Sequence, residues 1–223
     1  PTSEEALRRL AVLTNRFKMS PAMMQQVDAE YGPLEWRLPE AHAIYWAAQG
    51  LKQAGASPLK DQAAAVIQLR RAIYQSLQLS FQRGKLMADP FTRSFSFGPN
   101  LDIVANLSKA YGRAIKDEPE MSGNIENAHH NFLGSAVYFL YANDRVPEAL
   151  QWYRYLGEKY PNKALLANRP ESYPGNLPLE EFAVSRITEE FNGKEVSEAA
   201  RDRINAVLMG QAVTGYRYLV LGN

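Results

Sequence analysis

The chain has 223 residues, 46% of them hydrophobic and 11% aromatic, with 25 basic residues, 24 acidic residues and no cysteine. That apolar content suits one folded domain with a substantial core and excludes a disordered chain. The missing cysteine excludes a disulfide scaffold or thiolate metal site, and a net charge of +1 argues against a nucleic-acid surface.

The sequence reads as helix after helix, each with its own punctuation. Thr2 and Glu5 have the spacing of a capping box, and Leu7, Leu10, Ala11, Thr14 and Phe17 follow at helical period. Ser20-Pro21 joins an N-cap to a proline at the first helical position, and Met24, Val27 and Tyr31 stripe that helix until Gly32-Pro33 stops it. Pro39 opens a third helix on Ala41, Ile44, Tyr45, Ala48 and Leu51, which ends near Gly55. Ser57-Pro58 repeats the start signal for a fourth, through Val66, Leu69, Ile73 and Leu77 to about Gly84. Asn100 is placed to cap a fifth, with Val104, Leu107, Tyr111 and Ile115 on one face, closed before Pro119. The sixth runs from about Ser122 to Ala142 on Ile125, Ala128, Phe132, Ala136 and Phe139. Pro147 lies in the first turn of the seventh, which Pro161 ends. Pro178 opens an eighth that Gly193 closes, and a last helix begins near Ser197 and follows Ile204, Leu208, Gln211, Gly215 and Tyr218. The fold class is all-α.

Two stretches break the rhythm. Residues 86–99 are long for a helix connection, and Phe91, Arg93, Phe95 and Phe97 alternate at strand period. They are expected to form a loop tucked under its own phenylalanines. Residues 162–178 hold Pro170, Pro174, Gly175 and Pro178, the composition of an extended crossing segment or a hinge.

The sequence 146–153, Val-Pro-Glu-Ala-Leu-Gln-Trp-Tyr, followed by Leu156 and Lys159-Tyr160-Pro161, resembles the second helix of a tetratricopeptide repeat. Ala149 matches the small residue at the close helix approach, Tyr153 the aromatic four positions on, and Pro161 the closing proline. In the first helix Leu133 stands where the family prefers Trp and Val137 where it prefers Gly or Ala, while Leu140 replaces the usual aromatic. The resemblance covers about residues 130–163. It implies antiparallel helical hairpins stacked as an α-α superhelix, because one hairpin cannot bury its apolar stripe alone. An irregular helical bundle is the alternative. Residues 31–46, with Trp36, His42 and Trp46, resemble segments of uncharacterised bacterial helical proteins without indicating any chemistry.

In the repeat family the first helix lines the concave face, and the ligand-touching positions map onto Asn131, Tyr138 and Tyr141, with Gly134 between them. Their spacing puts them on one helical stripe, apart from Phe132, Ala136 and Phe139. An Asn amide both donates and accepts, and tyrosine offers a flat apolar ring with a polar tip. The competing assignment packs these tyrosines under the next helix. His42, Trp46 and Gln49 share another stripe beside Trp36, either as an aromatic-walled pocket or as a turn stapling two helices with Arg37 paired to a carboxylate. Met19, Met23 and Met24 fit an adaptable groove or core gap-filling equally.

Enzyme chemistry finds little footing. Glu126 and His129 form an E-x-x-H pair, but a carboxylate-bridged di-metal bundle needs two such pairs and two further carboxylates, and no second pair exists. His130 steps about 100° away from His129, so the two cannot chelate one ion. No G-x-S-x-G and no glycine-rich phosphate loop is present. The longest apolar run, residues 133–142, is far short of the ~20 residues of a membrane helix.

These readings predict a protein–protein interaction or scaffold module. It holds a protein or peptide segment on a concave helical face through Asn131, Tyr138 and Tyr141, with His42 and Trp46 contributing from another helix, and it needs no metal or cofactor. The alternatives are a metal-binding or hydrolytic helical bundle around Glu126, His129 and His42, or a structural domain of a larger protein. Pro1 in place of Met, with no signal-peptide pattern, leads to the expectation that residues 1–223 are a single domain cut from a longer chain. Cytoplasm and periplasm both suit the composition.

Overall fold

The computed structural model describes residues 3–56, 63–88, 93–192 and 198–222. Thr2, Ser57, Pro58, Phe91, Gly193 and Ser197, which the sequence reading uses, lie outside them. Among the described residues there are nine α-helices and one short β-hairpin, so the all-α expectation holds. None of these helices is long and apolar enough to cross a membrane.

Helix α1 (Ser3–Ala11) runs into a π-helical turn, Val12–Arg16, and buries no side chain. Helix α2 (Pro21–Tyr31) starts where the sequence placed it: Ser20 is in the extended region, its hydroxyl accepts from the Met23 amide, and Pro21 takes the first turn. Helices α3 (Pro39–Ala56) and α4 (Ala63–Arg83) pack along each other, burying Ala41, Ile44, Tyr45 and Ala47 against Ile73, Leu77 and Phe81. At one end of this pair Glu40 is buried, with its carboxylate held by Arg83 at 2.8 and 3.1 Å.

Strands β1 (Lys85–Ala88) and β2 (Phe95–Gly98) pair antiparallel, Lys85 opposite Gly98 and Ala88 opposite Phe95. The alternation in the sequence is therefore a strand signal, but the expected tucked loop is corrected. Phe95 and Phe97 are 64% and 54% exposed, standing out from one side of a two-stranded ribbon instead of lying beneath it. The Asn100 cap is also corrected. A 3₁₀ turn, Leu101–Ile103, intervenes before α5 (Val104–Asp117), and Asn100 instead donates its side-chain amide to the Pro33 carbonyl at 2.7 Å, tying the hairpin exit to the α2–α3 turn.

A second 3₁₀ turn, Pro119–Met121, leads into α6 (Ser122–Ala142), which packs against α7 (Val146–Lys159) as an antiparallel hairpin. Helices α5, α8 (Leu179–Asn192) and α9 (Glu198–Leu221) cover its other sides. Residues 136–140 of α6 have no exposed surface at all. Phe81 of α4 meets Phe132 and Phe139 of α6 at ring distances of 5.2 and 5.3 Å, joining the α3–α4 pair to the centre. Gly210 sets how close α9 lies, since a Cβ there would stand 2.7 Å from the Asn143 carboxamide at the end of α6.

Residues 162–178 are neither extended nor loose. Leu165, Leu166 and Leu177 are buried, and the buried Ser172 hydroxyl accepts from the amides of Leu165 and Leu166 while donating to the Arg169 carbonyl. Tyr153 of α7 donates to the Leu177 carbonyl at 2.5 Å. Gly157 lets Pro174 rest on α7, where a Cβ would lie only 2.9 Å from the proline ring. The segment is pinned across α7.

Ala149 is fully buried on the α6-facing side of α7. Ala149→Leu is expected to destabilise the fold by about 1–3 kcal/mol through overpacking, read as a lower urea midpoint. An unchanged midpoint would mean the two helices do not approach closely there.

Candidate functional site

The first half of α6 sends three neighbouring polar side chains in three directions, since each residue turns about 100° from the last. His129 points inward and is fully buried, His130 is half-buried, and Asn131 is exposed. His130 and Asn131 face a cleft of about 280 Å³ between α6, the pinned segment and α8. Gly134 keeps α6 thin there, while Leu165, Leu166 and Pro170 supply an apolar wall. Arg186 of α8 forms the opposite rim, its guanidinium 5.6 Å over the Tyr138 ring and bonded to Glu189 at 2.9 Å.

The polar groups of the cleft are unevenly satisfied. His130 Nδ1 lies 3.5 Å from Asn131 Oδ1, whereas His130 Nε2 is buried with no hydrogen-bond partner. Burial is the main reason its pKa falls below the usual histidine range, with Lys163 and Arg186 adding to the effect and the Asn131 hydrogen bond opposing it. His130 is therefore a neutral ring at physiological pH. With Nδ1–H directed at Asn131, Nε2 is a free acceptor, and the Asn131 amide NH₂ is a donor beside it.

Of the five residues assigned from the sequence, Asn131 lines this cleft and the others do not. Tyr138 is completely buried and presents no surface to a partner; its ring lies beneath Arg186 and meets Phe139 at 4.5 Å. The reason is that α6 is covered on every side at that level, so no open stripe runs its whole length. Truncating Tyr138 would therefore create a core cavity rather than remove a contact. Tyr141, about 15 Å along the helix axis from Asn131, is half-buried against the core.

His42 and Trp46 lie on α3, away from the cleft. His42 Nε2 is 2.9 Å from the Trp36 carbonyl and its ring meets Phe17 edge-on at 6.2 Å. Trp46 is 44% exposed and edge-on to Tyr45 at 5.1 Å. Arg37 bonds Glu35 at 2.6–2.7 Å, so the 35–46 region is a stapled aromatic turn. Met19 is buried, and Met23 and Met24 pack on the core.

His129 belongs to the interior. Its Nε2 lies 2.9 Å from Ser108 Oγ on α5, its Nδ1 2.9 Å from the Tyr160 hydroxyl after α7, and its ring stacks on Tyr111 at 5.3 Å. Both nitrogens are occupied, which leaves the Glu126–His129 pair without a free imidazole ligand. Sequence reasoning missed Arg186 and the hydrogen-bonded wall at 162–178, because neither has a local signal for what it faces; the proline-rich stretch marked only that the segment was unusual.

Compared with known proteins, the chain matches no family model, no curated protein and no solved structure. The cleft itself offers a neutral imidazole acceptor, an amide and a guanidinium around an apolar wall. That set places hydrogen-bonding groups beside an apolar surface.

Burial, with smaller contributions from Lys159 and His130, pushes the His129 pKa down from 6.5 to about 4. The unfolded chain thus takes up a proton before the folded one does. Stability is at its full value above about pH 6.5 and declines as pH falls toward 4, by roughly 3 kcal/mol from this residue. Urea unfolding at pH 7.5, 5.5 and 4.5 is expected to show that decline in the wild type and a shallower one in His129→Gln. Equal slopes would exclude His129 as the origin.

Proposed function

We propose that this chain is a binding module that holds an extended segment of a partner protein in the cleft between α6, α8 and residues 162–178. The observation that carries this reading is the unpartnered His130 Nε2 beside the exposed Asn131 carboxamide. A buried acceptor without a partner is costly, and a ligand N–H removes that cost. An amide N–H of the partner donates to His130 Nε2, and a neighbouring carbonyl accepts from Asn131, so the pair reads one stretch of backbone. Leu165, Leu166 and Pro170 receive an apolar side chain. On this reading the α6–α7 hairpin acts as one tetratricopeptide-like unit, supported by the buried Ala149 and the helix end at Tyr160-Pro161. The superhelical surface is confined to the first half of α6.

A second reading, a structural domain of a larger protein, is favoured by α9. Leu208, Ala212, Tyr216 and Leu219 recur at three or four residues and are exposed, while Val207 and Gly210 on the other side are buried. A helix apolar on both sides is one that expects cover on both sides. This face would meet a neighbouring domain or protein.

Selection of displayed random peptides against the purified chain separates the two. The cleft reading expects a related set of peptides to be enriched, with affinity falling roughly tenfold in Asn131→Ala, the loss of about one hydrogen bond, at an unchanged unfolding midpoint. Peptides that bind Asn131→Ala as well as wild type would move the site off the cleft. Peptides lost instead in Tyr216→Glu/Leu219→Glu would favour the α9 face.

A further inference from the structure

Among the described residues two carboxylates are buried near helix ends, and they are treated differently. Glu40 is bonded twice by Arg83. Glu118, in the turn between α5 and α6, has a side chain only 4% exposed, yet neither of its oxygens has a hydrogen-bond partner. The nearest cation is Arg71 of α4, whose Nη2 stands 3.8 Å from Glu118 Oε2. That is about an ångström longer than a charge-assisted hydrogen bond, so the two are neighbours of opposite charge rather than a closed pair. A carboxylate removed from water without donors is expensive to keep, and a structural role would be expected to bring donors with it, as it does at Glu40.

Glu118 lines a second cleft, of about 210 Å³, between α4, α5 and the start of α6. Tyr74 and Tyr111, stacked at 6.0 Å, make one wall, and Met121, Ile125 and Ala128 the other. Tyr74 is held above the usual tyrosine range by burial and then by the Glu118 charge, with Arg71 opposing through its charge and a side-chain hydrogen bond. The cleft is thus a small, mostly apolar space with one unfilled anion and one partly exposed cation at its polar end. A simple amine would satisfy Glu118 but be repelled by Arg71, and a simple carboxylate would have the reverse conflict. A molecule bearing an ammonium and a carboxylate on one carbon satisfies the two together.

We propose that the Glu118–Arg71 cleft binds the zwitterion of a small apolar α-amino acid, with its ammonium on Glu118, its carboxylate on Arg71 and its side chain against Met121 and Ile125. The four charges then alternate in sign around the polar end, and the apolar wall selects an aliphatic side chain over a charged one. This site is separate from the α6–α8 cleft and stands or falls independently of it.

The test is calorimetric titration of the whole chain with L-alanine, L-valine, L-leucine and L-methionine, alongside 3-methylbutylamine and 4-methylpentanoate, which carry the leucine skeleton with one charge each. At least one amino acid is expected to bind, with each single-charge analogue at least tenfold weaker than leucine. Glu118→Gln and Arg71→Gln are each expected to weaken binding at least tenfold. Arg71 is about one-third exposed, so its replacement reads the site even if the Glu118 variant unfolds. Absence of binding by all four amino acids, equal binding of the amine, or full affinity in Arg71→Gln would overturn the proposal.

Discussion

Residues 136–140 of α6 have no solvent-accessible surface. Successive side chains on a helix step by about 100°, so five in a row cover every direction, and the middle of α6 has to be surrounded completely. The rest of the molecule meets that demand. Helix α7 covers one side as a hairpin partner, α5, α8 and α9 close the others, and Phe81 brings in the α3–α4 pair. Only toward its first half, where Asn131 is exposed and Gly134 thins the helix, does α6 come to the surface beside a cleft. A central helix of this kind fixes the places where a ligand can approach: the ends and seams of the layer around it.

The interior polar groups divide according to whether the fold completes them. Ser108, His129 and Tyr160 form a closed chain linking α5, α6 and the end of α7, and Glu40 is closed by Arg83. Such fully bonded groups fix the relative positions of helices. His130 Nε2 and the Glu118 carboxylate are left open, and each faces a cleft. Two adjacent histidines on one helix thus differ in kind, His129 being part of the scaffold and His130 part of a surface, with a single 100° step between them.

Helix boundaries were largely legible, because the signals that set them are local. Ser20-Pro21, Pro39, Ser122, Pro147 and Pro178 mark starts within about a residue of those observed. Asn100 was misread because its side chain is used in a long-range bond to Pro33, and no local pattern encodes that partner. The strand period around Phe95 and Phe97 was visible, but that their rings would stay exposed was not. The candidate site was less legible. A helical stripe identifies a surface only when the opposite stripe is distinct, and the second half of α6 is apolar nearly all round, so periodicity could not show that the stripe of Asn131 is buried by the time it reaches Tyr138. The Glu118 cleft had no sequence signal: a glutamate in the acidic turn Asp117-Glu118-Pro119-Glu120 is ordinary until the packing around it leaves its oxygens without donors.

The pinned segment 162–178 has one more consequence. Ser172 ties it to itself, Tyr153 ties it to α7, and Pro174 sits in the space left by Gly157. The wall of the α6–α8 cleft is therefore in place before anything arrives. Its ordering entropy is spent during folding, so encounter with a ligand requires no closure step, and discrimination between ligands falls to shape at the moment of docking. A cleft of this kind behaves as a fixed mould, and variation in what it accepts would come from changing the residues that line it rather than from changing how it moves.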